Sequence, residues 1–102
     1  MADKIRTQLV DNLLSVLATM DSEDEVYAFL QDLCTVREIS EMSQRLEVAR
    51  MLSNKASYVS VQERTGASAT TISRVSKCLN YGTGGYRDAL AIIAQHQADK
   101  DL

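Results

Sequence analysis

The stretch SYVSVQERTGASATTISRVSKCLN, residues 57–80, carries the strongest fold signal in the chain. Ser57 can cap a short helix that ends near Thr65, and Gly66 can adopt the positive φ of a tight turn. Ser68 can then cap a second helix, whose predicted inner face is formed by Ile72, Val75, Ser76 and Leu79. A short helix, a glycine turn and a longer helix are typical of a helix-turn-helix, which places its second helix in the major groove of DNA.

The second helix of this pair presents small hydroxyl side chains beside two cations, Arg74 and Lys77. Small side chains let a helix sit deep in a groove, arginine can donate two hydrogen bonds to guanine, and lysine can hold a phosphate. The predicted recognition surface is Thr70, Thr71, Ser73, Arg74 and Lys77. The predicted phosphate contacts are Ser57, Tyr58, Arg64 and Ser68. The alternative interpretation is an amphipathic helix pair that only closes a bundle.

The distribution of charge favours DNA binding more than the net charge of −3 does. Residues 1–47 carry ten acids and four bases, whereas residues 48–102 carry four acids and seven bases. From Arg64 through Arg87 there are four bases and no acid. Because phosphate binding depends on the local potential, the acid-free segment is the informative one.

Helical signals extend in both directions from residues 57–80. Apolar residues recur at three- and four-residue steps from Ile5 to Met20, and Ser22 and Thr35 begin two further helices with cap signals. The third helix is predicted to end near Ser53, and a last helix follows the glycine-rich stop at residues 80–85. The polar tail after Gln95 is predicted to fray. The fold class is therefore all-α, with residues 1–102 as a single domain.

The apolar faces of the first two helices need a partner, which a second copy of the chain supplies economically, with packing within a single chain as the alternative. We find no secretory signal, no membrane-spanning run, no metal-ligand set and no catalytic constellation, and we predict no cofactor. Cytoplasmic localisation with reduced thiols is expected. The rival class is a helical protein-interaction module without DNA binding, which the acidic first half favours.

Four segments of the chain resemble one protein family: SEDE at residues 22–25, EMSQRL at 41–46, TGASATTISR at 65–74 and LNYGTGGY at 79–86. They look like the YerC/YecD branch of the Trp repressor superfamily, and the resemblance covers nearly the whole chain. It implies a six-helix fold, an intertwined homodimer and a bacterial transcriptional regulator of the repressor type that binds double-stranded DNA.

In the Trp repressor, two arginines, a glycine and small hydroxyl residues hold tryptophan. The resemblance places this ligand pocket at Cys34, Gln44, Thr71, Arg74, Val75 and Cys78. Arg74 and Thr71 match the family's residue types, whereas Gln44 replaces the second arginine and the two cysteines replace hydroxyl residues. Val75 replaces the glycine, and its side chain occupies space that the indole needs. Tryptophan is therefore not the expected effector, and a different small molecule stays open. A redox role for the two cysteines is less favoured than ordinary packing.

Overall fold

The computed structural model describes residues 5–100, which form six α-helices and no β-strand. This confirms the predicted all-α, six-helix fold. No helix in this part of the chain is long and apolar enough to span a membrane. The helices are α1 (Gln8–Thr19), α2 (Glu23–Leu33), α3 (Val36–Ser53), α4 (Tyr58–Thr65), α5 (Ala69–Tyr81) and α6 (Gly85–Lys100).

Side-chain caps determine where most of these helices begin. The Ser22 hydroxyl accepts the Glu25 amide at 3.1 Å, and Ser57 and Ser68 cap α4 and α5 in the same way. Thr35 and Glu38 form the predicted reciprocal box at the start of α3. The Thr35 amide donates to Glu38 Oε1 at 2.8 Å, and the Glu38 amide donates to Thr35 Oγ1 at 3.0 Å. Each cap stabilises its helix by about 1 kcal/mol.

Both ends of the described chain differ from the sequence-based prediction. The α1 helix begins at Gln8, because Thr7 caps it, so Ile5 lies outside the helix. The predicted fraying after Gln95 is wrong, because α6 continues to Lys100. The Gln95 amide donates to Asp99 Oδ1 at 3.1 Å one turn later, and Lys100 complements the negative end of the helix dipole.

The chain divides between Ile39 and Ser40 into two compact units. In the first unit, α1 and α2 contain no buried residue. Large apolar side chains in it are strongly exposed: Leu9 by 79%, Tyr27 by 56% and Leu33 by 52%. Apolar faces left open to this degree are typical of surfaces that another molecule covers.

The second unit contains the core. Its buried side chains come from α3, α4, the following turn and α5: Val48, Ala49, Met51, Val61, Ala67, Ile72 and Val75. Tyr86 and Leu90 of α6 pack against this cluster. Burying a valine or isoleucine side chain stabilises a fold by about 1.5–3 kcal/mol, so this cluster fixes α4 and α5 against α3.

Candidate nucleic-acid interface and adjoining pocket

The turn between α4 and α5 is fixed by several internal hydrogen bonds. Gly66 has φ +74°, and its amide donates to the Gln62 carbonyl at 2.9 Å. The Thr65 hydroxyl donates to the Val61 carbonyl at 2.7 Å and accepts the Ala67 amide at 3.1 Å. Because Ala67 is also buried, the turn holds α4 and α5 in one defined arrangement.

The orientation of α5 follows from the residues that it buries. Ile72, Val75 and Leu79 face the core, as the sequence predicted, and Ser76 is half-buried. Residues three or four apart share a face of a helix. The opposite face of α5 is therefore the solvent-exposed one.

The exposed face of α5 carries most of the predicted recognition surface. Thr70, Ser73, Arg74 and Lys77 are exposed, and no acidic side chain among residues 5–100 pairs with either cation. Thr71 differs from these residues because it is half-buried, and its hydroxyl oxygen accepts a hydrogen bond from the Ser68 hydroxyl at 3.1 Å.

Two of the predicted phosphate-contacting side chains also cap helices. Ser57 and Ser68 are exposed, but each hydroxyl oxygen accepts an amide of its own helix. The Ser68 hydroxyl donates a hydrogen bond to Thr71. The Ser57 hydroxyl donates none within residues 5–100, so its proton is available to a phosphate. Tyr58 is half exposed at the first residue of α4.

An ion pair that sequence reasoning missed lies on α3. Arg50 donates to Glu47 from Nε at 2.6 Å and from Nη2 at 2.8 Å. These hydrogen bonds, together with the charges of Arg50 and Arg64, hold the pKa of Glu47 below its ordinary value of 4.5, although burial opposes them. The i, i+3 spacing of Glu47 and Arg50 was the available signal.

A cavity of about 430 Å³ brings together five of the six predicted pocket residues: Gln44, Thr71, Arg74, Val75 and Cys78. Glu41, Arg45 and Tyr86 complete the lining, and sequence reasoning did not assign them to the pocket. Cys34 follows the last residue of α2 in the first unit, and its place in the pocket stays a prediction.

The two residues that depart most from the tryptophan pocket both have roles within this chain. The side-chain amide of Gln44 donates to the Thr65 carbonyl at 3.0 Å, which joins α3 to the end of α4. Val75 is 2% exposed and belongs to the core cluster. Gln44 and Val75 therefore both contribute contacts that hold the helix pair against α3.

The six-helix, all-α fold agrees with the comparison to known families. Residues 8–94 match the sequence profile of the Trp repressor protein family, and the chain belongs to that family.

Its relatives include YerC of Bacillus subtilis (strain 168), whose own function is uncharacterized. The two are 42% identical over 97 residues, which cover 95% of this chain and 93% of YerC. A crystal structure of a proposed Trp repressor from Staphylococcus aureus superimposes with a TM-score of 0.83 at 38% identity, covering 89% of this chain and 91% of the other. A TrpR-like protein from Eubacterium eligens ATCC 27750 gives a TM-score of 0.83 at 43% identity, with coverages of 89% and 94%.

Proposed function

We propose that this protein is a dimeric helix-turn-helix regulator of transcription that binds double-stranded DNA in the bacterial cytoplasm and does not respond to tryptophan. The observation that carries the proposal is the exposed, acid-free face of α5. Arg74 and Lys77 lie three residues apart on that face, next to the small side chains of Thr70 and Ser73. A helix of this composition fits a major groove, where arginine reads base edges and lysine holds the backbone.

The dimer is supported by the apolar faces of α1 and α2. Neither helix contains a buried residue, and a second copy of the chain would present the same apolar faces in return. Dimerisation would place two recognition helices about 34 Å apart, in successive major grooves. Each helix alone reads too few base pairs for strong specificity, so the dimer is part of the DNA-binding function.

Independence from tryptophan is supported by Gln44 and Val75. In this chain Val75 fills core space, and the Gln44 amide is bonded to Thr65. The helix pair is therefore ordered by the protein's own contacts. An effector of another chemical class would have to fit among Glu41, Arg45 and Arg74, which give the pocket mixed charge.

Selection from fragmented bacterial genomic DNA tests the proposal. The wild-type protein and the Arg74→Ala/Lys77→Ala double variant are each incubated with the fragments, with and without 1 mM tryptophan, and the bound DNA is sequenced. We expect the wild-type protein to enrich the same defined fragments in both conditions and the double variant to enrich none. Failure of the wild-type protein to retain DNA would favour the interaction module. Enrichment only with tryptophan would contradict the assignment of Gln44 and Val75.

A further inference from the structure

A second polar cavity, of about 370 Å³, lies outside the recognition surface and the pocket already described. It is formed by the end of α3, the start of α4, the C-terminal half of α5 and the first turn of α6. Its charged lining residues are both cations, Lys55 and Arg87. Tyr58, Ser76 and Asn80 add hydroxyl and amide groups, and no acidic side chain lines the cavity.

Lys55 occupies a position that the backbone favours for glycine. Its φ of +68° makes it the one non-glycine residue with a positive φ between residues 5 and 100. The strained turn is closed by the Lys55 amide donating to Leu52 and the Ala56 amide donating to Met51, both at 3.0 Å. Because a lysine at this position is conformationally unfavourable and its side chain is exposed, packing does not explain it.

Arg87 is also placed where the local backbone disfavours a cation. It lies in the first turn of α6, at the positive end of the helix dipole. The neighbouring Asp88 does not line the cavity, and no carboxylate among residues 5–100 pairs with Arg87. Two cations therefore line the same cavity with no acidic side chain among its lining residues, and an anion bound between them would compensate their charges.

We propose that Lys55 and Arg87 bind a phosphate of the DNA backbone, with the Tyr58 hydroxyl as a further donor. This inference rests on the proposed DNA binding and extends the contact surface beyond α4 and α5 to α6. A backbone phosphate is favoured over a free anion because Tyr58 opens α4 and Ser76 lies on α5, so the cavity borders both helices of the pair.

The test compares three variants that each remove a charged side chain: Lys55→Gly, Arg87→Gln and, as a matched control, Lys100→Gln at the far end of α6. Affinity for an enriched DNA fragment is measured by fluorescence anisotropy between 50 and 200 mM salt. We expect Lys55→Gly and Arg87→Gln each to weaken binding about tenfold. Each should also reduce the log–log salt slope by about 0.9, because one phosphate contact is lost. Lys100→Gln should leave the slope unchanged.

A thermal melt separates loss of contact from loss of fold. Lys55→Gly removes the unfavourable φ, so this variant should melt at a higher temperature than the wild-type protein while it binds DNA more weakly. If the wild-type protein binds DNA and both cavity variants show the same salt slope as the wild-type protein, the phosphate contact at Lys55 and Arg87 is wrong but the proposed function stands. Absence of DNA binding by the wild-type protein would overturn the proposed function and this inference together.

Inorganic phosphate distinguishes a free anion from the DNA backbone. In an NMR titration without DNA, we expect no saturable shift of the Lys55 and Arg87 amide signals below 10 mM phosphate. Saturation at sub-millimolar phosphate, with unchanged DNA salt slopes in both variants, would identify a small-anion site and overturn the assignment to DNA.

Discussion

Gln44 has a different role in this chain from the one that the family resemblance assigns to its position. The sequence comparison places Gln44 where a ligand-binding arginine stands, so its expected effect was the loss of a cation. In the fold its side-chain amide donates to the Thr65 carbonyl at 3.0 Å, in a half-buried site. The residue therefore positions the turn between α4 and α5, which a comparison of residue types could not predict.

Gln44→Glu should lower stability, because a carboxylate oxygen would face the Thr65 carbonyl oxygen where an N–H donor lies now. We expect a loss of about 1–3 kcal/mol, the usual cost of leaving a buried polar group without its partner. The midpoint of thermal unfolding at pH 7 measures it. Gln62→Glu, the same change on the exposed side of α4, is the control and should have little effect.

A structural marker distinguishes the hydrogen bond from a general loss of packing. The Gly66 amide nitrogen is bonded to the Thr65 carbonyl carbon, so the ¹⁵N chemical shift of Gly66 is sensitive to the hydrogen bond that the Thr65 carbonyl accepts from Gln44. We expect this shift to move in Gln44→Glu and in Gln44→Leu but not in Gln62→Glu. Equal stabilities and unmoved shifts in all three variants would show that Gln44 does not position the turn.

At the level of the elements, the sequence predicted most helix boundaries, including the ends of α3 at Ser53 and α4 at Thr65, but neither the start of α1 nor the extent of α6. Ser22, Thr35, Ser57 and Ser68 are local signals, and each acts as the cap that its position predicted. The end of α6 has no such signal. Its last turns are polar and exposed, and they persist through helix propensity and side-chain pairs one turn apart, which polarity alone does not reveal.

The turn at Gly66 connects the two helices of the proposed DNA-binding pair. It requires glycine for its positive φ and not for lack of space around the residue. A Cβ at Gly66 would meet nothing within 4 Å, but the φ of +74° is unfavourable for alanine. Gly66→Ala should therefore cost about 1–2 kcal/mol, and Gly66→Asn should cost less. Thermal melts measure both variants.

Gly85 supplies the control for this turn. It opens α6 without a positive φ, and its added Cβ would come no closer than 3.7 Å to Thr83 Oγ1. Gly85→Ala should melt close to the wild-type temperature. If Gly66→Ala did the same, the left-handed turn would not be the constraint that sets the angle between α4 and α5.

At the scale of the whole molecule, the two units differ in character. The first is acidic and leaves apolar side chains of α1 and α2 exposed, whereas the second contains the core, the proposed recognition helix α5 and most of the cations. The sequence predicted the charge asymmetry, the helix pair and most of the pocket residues. It did not predict the cavity at Lys55 and Arg87, because only the packing of α3, α5 and α6 brings these distant residues together.

The dimer is testable through α1. Light scattering should give a mass twice the 11.3 kDa of one chain, and the melting temperature should rise with protein concentration. Leu9 is 79% exposed in the single chain, so Leu9→Asp should lower the melting temperature only if a partner covers it. Ser15→Asp, which places the same charge at another exposed position of α1, is the control. A single-chain mass, or equal melting temperatures for both variants, would contradict the dimer.

If the exposed face of α5 binds DNA, the salt dependence of binding should change in the Lys77→Ala and Arg74→Ala variants. Affinity for an enriched fragment and for random duplex is measured across a salt series, with Lys100→Ala as the control and thermal melts to verify folding.

If Lys77 holds a phosphate, Lys77→Ala should weaken binding to both duplexes about equally and reduce the salt slope by about one. If Arg74 reads a base, Arg74→Ala should cost about 1–3 kcal/mol on the enriched fragment and less on random duplex. Folded variants that bind both duplexes as the wild-type protein does would show that the exposed face of α5 does not bind DNA, and α4 and α5 would then be a protein-interaction surface.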